Sequence, residues 1–119
     1  MIRYEILLPD KLSLNKWYAG THWSKRRKMA DEFHWVIAAM RKECDLKPRL
    51  FPVRMTYKFY FQGRALDTSN CAAMVKLLED GFVKAGVLPG DGPAYVREIT
   101  IINGGGGAGD NHVVILIDE

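Results

Sequence analysis

Between Asp67 and Asp91 the chain gathers the residue types that phosphodiester chemistry requires. Asp67-Thr68-Ser69-Asn70 comes first, then Lys76 and Asp80, then Asp91 in the turn Leu88-Pro89-Gly90-Asp91-Gly92-Pro93. Carboxylates supply hard oxygen ligands for Mg²⁺, and a lysine beside them supplies a cation for a charged phosphate. Each residue also has a plainer use. Asp67 can cap a helix, and Lys76 and Asp80 can form a surface pair worth only tenths of a kcal/mol.

These residues need a strand end, a helix face and a turn to meet. Phe51 to Gln62 alternates, with Val53, Met55, Tyr57, Phe59 and Phe61 on one side, as in a half-buried strand ending shortly before Asp67. A helix is predicted from about Ser69 to Ala85. Cys71, Val75, Leu78 and Phe82 form its inward stripe, Met74 and Leu77 widen it, and Gly86 closes it. Lys76 and Asp80 lie one turn apart on that helix and share a face. Upstream, Ile2–Leu8 reads as a strand and residues 10 to 22 as irregular, with Ser13, Asn15 and Gly20 as turn formers. Ser24 is placed to cap a long helix reaching Glu43, buried through Met29, Phe33, Val36, Ile37 and Met40. Tyr95–Ile102 and His112–Ile117 complete the set as strands. The expected fold is a single α+β domain over residues 1–119, in the order β-α-β-α-β-β, with helices packed on a mixed sheet.

The segment resembles the RusA family of Holliday junction resolvases and their phage-encoded relatives. That family carries Asp-x-Asp-Asn, then Lys and Asp four apart on a helix, then Gly-Val and an Asp-Asp turn. Asp67 and Asn70 match the acidic motif, Lys76 and Asp80 the helical pair, Gly86-Val87 the helix exit, and Asp91 the second acid of the turn. Leu14-Asn15-Lys16-Trp17-Tyr18-Ala19-Gly20 and the basic helix after it look like the phage branch. Ser69 stands where the motif has its second Asp, and Gly90 where the turn has its first. Asn70 and Lys76 are also about one helical turn further apart than in the best-known members, which returns Lys76 to the same face.

The resemblance implies an Mg²⁺-dependent endodeoxyribonuclease, with Mn²⁺ as substitute, acting on four-way or related branched DNA. Asp67 and Asp91 would hold the metal, assisted by Asp80 and Asn70, and Lys76 would sit on the phosphate. Paired nicks in two symmetry-related strands imply a homodimer. With fewer carboxylates than the motif, a junction-binding protein of the same fold that does not cut remains the alternative.

Charge distribution points the same way. Net charge is only +3, yet Lys25-Arg26-Arg27-Lys28 places four cations in a row near Lys16 and His22. At a helix start such cations oppose the macrodipole, and an anionic partner there would reverse the penalty. Lys25, Arg26, Arg27 and Lys28, with Lys16 nearby, are therefore the expected DNA contacts, the resemblance to the phage branch adds Asn15, and Trp17, Tyr18 and Trp23 are able either to stack on bases or to pack in the core. His34, among apolar neighbours, reads as structural. The tract Gly104–Gly107 has no following helix and no Gly-Lys-Ser/Thr, which argues against a nucleotide site and for a flexible hairpin connection. No apolar run is as long as a membrane span, the first residues lack a signal-peptide layout, and Cys44 and Cys71 are widely spaced. A cytoplasmic protein with reduced thiols and no membrane contact is expected, and the resemblance implies a bacterial host cell, with the gene carried by a phage or prophage or by the cell itself.

Overall fold

Four strands build one sheet, two of them with alternating burial, and the apolar faces of two helices cover it. The computed structural model describes residues 1–19, 22–49 and 52–119. Gly20, expected as a turn former, and Phe51, expected at a strand start, lie outside the described residues. The elements are β1 (Ile2–Leu7), α1 (Leu14–Tyr18), α2 (Trp23–Cys44), β2 (Val53–Gln62), a 3₁₀ turn (Thr68–Cys71), α3 (Ala72–Lys84), β3 (Val96–Gly107) and β4 (His112–Asp118). The sheet runs β1-β4-β2-β3, with β2 and β3 parallel and the other two pairings antiparallel. An α+β fold with a mixed sheet is thus what the chain adopts.

Val53, Met55, Tyr57, Phe59 and Phe61 of β2 point into the core and meet Phe33, Ile37 and Met40 of α2 and Met74, Leu78 and Phe82 of α3. Gly81 lets the helices close up, since a Cβ there would lie 3.1 Å from Ile37. Gly81 faces His34 and Ile37, and Gly86 lies near Arg41 further along, so α2 and α3 run in the same direction. Their N-terminal ends therefore share one end of the molecule. Gly86 has φ +78°, and the Val87 N–H reaches back to the Phe82 carbonyl at 2.9 Å, ending α3 as expected.

Four local expectations are corrected. Residues 10 to 22 are not wholly irregular: Ser13 caps α1 by accepting the Lys16 N–H at 3.0 Å, and Leu12, just before the cap, is fully buried. Ser24 is not the cap of α2. The helix already begins at Trp23, so His22 takes the cap position and its Nδ1 accepts the Ser24 N–H at 3.2 Å. The second helix starts later than Ser69, because residues 68–71 wind as a tighter 3₁₀ turn first.

The glycine tract is the fourth. Gly104–Gly107 belong to β3, and β3 and β4 form no hairpin, because β4 inserts between β1 and β2. A register shift between Phe59 and Phe61 absorbs an extra residue of β3, with Gly105 at φ +92°. Gly104 lies against the Tyr60 ring, and any Cβ on Gly106 would overlap the Gly63 carbonyl. Glycine is needed here for close approach, not for looseness.

Candidate metal and phosphate site

Asn103, just ahead of that irregularity, donates from Nδ2 to the Leu66 carbonyl at 2.7 Å. The β3 strand thereby fixes the segment that delivers Asp67. Asp67 is extended and precedes the 3₁₀ turn, where its carbonyl accepts the Asn70 N–H at 2.9 Å. Its carboxylate makes no capping hydrogen bond. The plain use of this aspartate, as a helix cap, is therefore not the use the chain makes of it. Asn70, half-buried, lies three residues on.

Lys76, Asp80 and Asp91 do come together. The Lys76 ammonium lies 2.5 Å from Asp91 Oδ2 and 3.2 Å from Asp80 Oδ1. The first contact spans helix and turn, while the second is the one-turn pairing expected from spacing. Asp91 is carried to Lys76 because Val87 and Leu88 are anchored in the core and Gly92 closes the turn, its carbonyl accepting the Tyr95 and Val96 N–H groups. A Cβ on Gly90 would stand 3.1 Å from the Tyr95 ring, so the position given up to glycine is also a tight one.

Hydrogen bonding to Asp91, and the nearby Asp80, raise the Lys76 pKa, and the same contact lowers that of Asp91. Lys76 stays an ammonium and Asp91 a carboxylate across the neutral range. Lysine here is a charge, not a base. Its side chain is 59% exposed, so its ion pairs contribute little to stability.

Among the described residues no three His, Cys, Asp or Glu side chains converge as a metal cage. Mg²⁺ commonly takes only one or two protein carboxylates and fills its shell with water and substrate phosphate. Asp80 and Asp91 supply that number of carboxylates, with the Lys76 ammonium between them, whereas among the described residues a site built entirely from protein ligands is not formed.

Glu79 was not among the expected site residues. It is only 5% exposed, its Oε1 has no hydrogen-bond partner, and the buried Tyr57 hydroxyl is also unpartnered. Burial pushes the Glu79 carboxyl up, Lys76 opposes that shift, and Asp91 and Asp80 add to it. A signal was present in the sequence, since Glu79 follows Val75 by four residues and precedes Phe82 by three, on the inward stripe. With a raised folded-state pKa, Glu79 costs stability as pH rises from the ordinary glutamate range through its folded value. Glu79→Gln is expected to raise the melting temperature at neutral pH and to change little in acid, as a pH series of thermal melts will measure.

At the start of α2, Lys25, Arg27 and Lys28 are exposed and the first turn carries no acid. Arg26 differs. Its guanidinium lies 5.9 Å from the ring centres of both Trp17 and Tyr18, tying α1 to α2, with its Nε buried. Arg26 opposes the helix dipole like its neighbours, but its removal would also take away this packing interaction. Trp17 packs partly against the core, while Tyr18 and Trp23 are exposed, Trp23 at 67%. Lys16 is held by Asp10 at 2.8 Å, and Asn15 is exposed on α1. Both ring nitrogens of His34 are buried without partners, and burial lowers its pKa, as suits a structural histidine in the α2–α3 seam. No helix among the described residues is long and apolar enough to cross a membrane.

No protein-family model and no curated protein matches this chain.

Proposed function

We propose that this protein is an Mg²⁺-dependent endonuclease that nicks branched DNA, four-way junctions above all, and works as a homodimer on their paired strands. The observation that carries the reading is the Lys76 ammonium held between Asp80 and Asp91. A side chain that joins helix to turn through two carboxylates puts acid and cation where one phosphate can meet both.

Asp91 and Asp80 would hold the metal, which when bound acidifies a water and polarises the phosphate, and the uncapped Asp67, which does not form a cluster with them, would act on it through bound water. Lys76 keeps its proton and offsets the charge that grows on the phosphate oxygens, with its stem fixed by α3. The exposed cations Lys25, Arg27 and Lys28, with Tyr18 and Trp23 beside them, would hold the flanking duplex and its unpaired bases. The α2 and α3 N-termini share one end of the fold, so one stretch of DNA can reach both sets. Cleavage of an end-labelled four-way junction in Mg²⁺, abolished by chelation and absent on linear duplex, tests the reading.

Exchanging Lys25, Arg27 and Lys28 for Ala is expected to weaken binding to all DNA in similar proportion. The slope of log affinity against log salt should flatten by about one unit for each phosphate no longer neutralised. The fold should be no less stable, since cations at a helix N-terminus oppose its dipole. An unchanged slope would make the run a solvated face.

The second reading, a protein that binds junctions without cutting, is favoured by the lack of a three-carboxylate cluster among the described residues. Ser69→Asp separates the two. It restores the missing acid at an exposed position, and should tighten Mg²⁺ in calorimetry and raise cleavage only if the site is catalytic.

A further inference from the structure

We propose that β1 is a self-complementary edge, along which two copies of the chain pair antiparallel about a twofold axis at Tyr4. The two four-stranded sheets would then form one continuous sheet. This supplies a surface for the homodimer of the proposed function and rests on that reading for its biological use.

Among the described residues β1 ends the sheet, with β4 on one side and no strand on the other. The Leu8 N–H donates to the Asn111 carbonyl at 2.9 Å, so by antiparallel alternation Ile6, Tyr4 and Ile2 also turn their backbone groups toward β4. The N–H and C=O groups of Arg3, Glu5 and Leu7 face the open edge. Such a row is a template for another strand unless the chain blocks it. Here the edge carries no proline and no bulge to block it. The opposite edge, β3, is disrupted by its register shift and by Gly105.

Ile2-Arg3-Tyr4-Glu5-Ile6 is symmetric in character about Tyr4. Antiparallel pairing of two copies there sets Arg3 opposite Glu5 of the second copy, twice, and Ile2 opposite Ile6. Arg3 and Glu5 already approach to 3.8 Å within one strand, on the face away from the helices. The nearest registers that keep both helix layers on one face place Arg3 opposite Arg3 or Glu5 opposite Glu5. Like charges directly opposite destabilise a pair, so charge selects the Tyr4 register.

Apolar surface flanks this edge. A groove of about 290 Å³ runs between β1 and α2, lined by apolar side chains such as Tyr4, Ile6, Val36 and Met40 and also by Glu5 and Glu43. Trp35, beside it on α2, is 70% exposed. With the twofold axis normal to the sheet, both α2 helices lie on one side, and each meets the other's groove.

Sedimentation equilibrium of the full chain without DNA tests the surface. The natural chain is expected to be a dimer. Arg3→Glu should weaken dimerisation at least tenfold, and adding Glu5→Arg should restore it. Glu5 also contacts His112 at 3.3 Å, so Arg3→Glu is the cleaner single change. Glu5→Pro removes an open-edge N–H without touching the β4 ladder and should give a monomer of unchanged circular dichroism. A monomeric natural chain, a dimer indifferent to Arg3→Glu and Glu5→Pro, or a folded double variant that stays monomeric overturns the proposal. A monomer that cleaves junctions overturns this surface and leaves the nuclease standing, whereas a charge-sensitive dimer that cleaves nothing does the reverse.

Discussion

Asp91→Asn and Asp67→Asn are each expected to abolish cleavage of a four-way junction while leaving its binding intact or tighter. Either change removes one negative charge from the metal's surroundings and keeps the shape of the side chain. It takes nothing from the grip on the phosphates and relieves repulsion with DNA. Asp91→Asn also releases Lys76 from its 2.5 Å contact, leaving the pairing with Asp80 at 3.2 Å. Lys76, Asp80 and Asp91 are all substantially exposed, so breaking their pairing should scarcely change stability. Cleavage and gel-shift assays on the same preparations, with a thermal melt as control, separate a chemical defect from a folding defect. Full cleavage by either variant would move the metal elsewhere.

Lys76→Met is expected to lower the cleavage rate by about a hundredfold or more, the cost of losing one preorganised charge donor. Metal affinity should hold or rise, because the ammonium between Asp80 and Asp91 has gone. Lys76→Arg keeps the charge but replaces a compact ammonium with a planar fork. It should recover part of the rate if charge matters and little if position does. Single-turnover rates at saturating Mg²⁺ read this directly. Near-normal cleavage by Lys76→Met would reduce the lysine to a surface ion pair.

Periodicity made most of the fold legible. Alternation in Val53–Gln62 specified which side chains face the core, and all five inward residues are buried. The helical spacing of Phe33, Ile37 and Met40 likewise marks the buried face of α2. Gly86 announced the end of α3, because few residues tolerate its positive φ. Asp80 was tied to Lys76 by a spacing of four, a relation fixed by helix geometry alone.

Contacts between segments distant in sequence were not legible. No local rule says that Asp91 reaches Lys76 across fifteen residues; that depends on Val87 and Leu88 being anchored and on where the turn after them points. The helical spacing of Glu79 put it on the inward stripe, but only the packing of α3 on β2 set it near Tyr57. Arg26 looked like its cationic neighbours until α1 supplied two rings for it to lie on. The glycine tract had the composition of a flexible loop, and only its approach to Tyr60 and Gly63 made it a strand. Local spacing determines which faces are apolar and which residues share a helical face, because those follow from backbone geometry over a few residues. Which faces then meet, and which charges are buried in doing so, is decided only by packing, because it depends on atoms far apart along the chain.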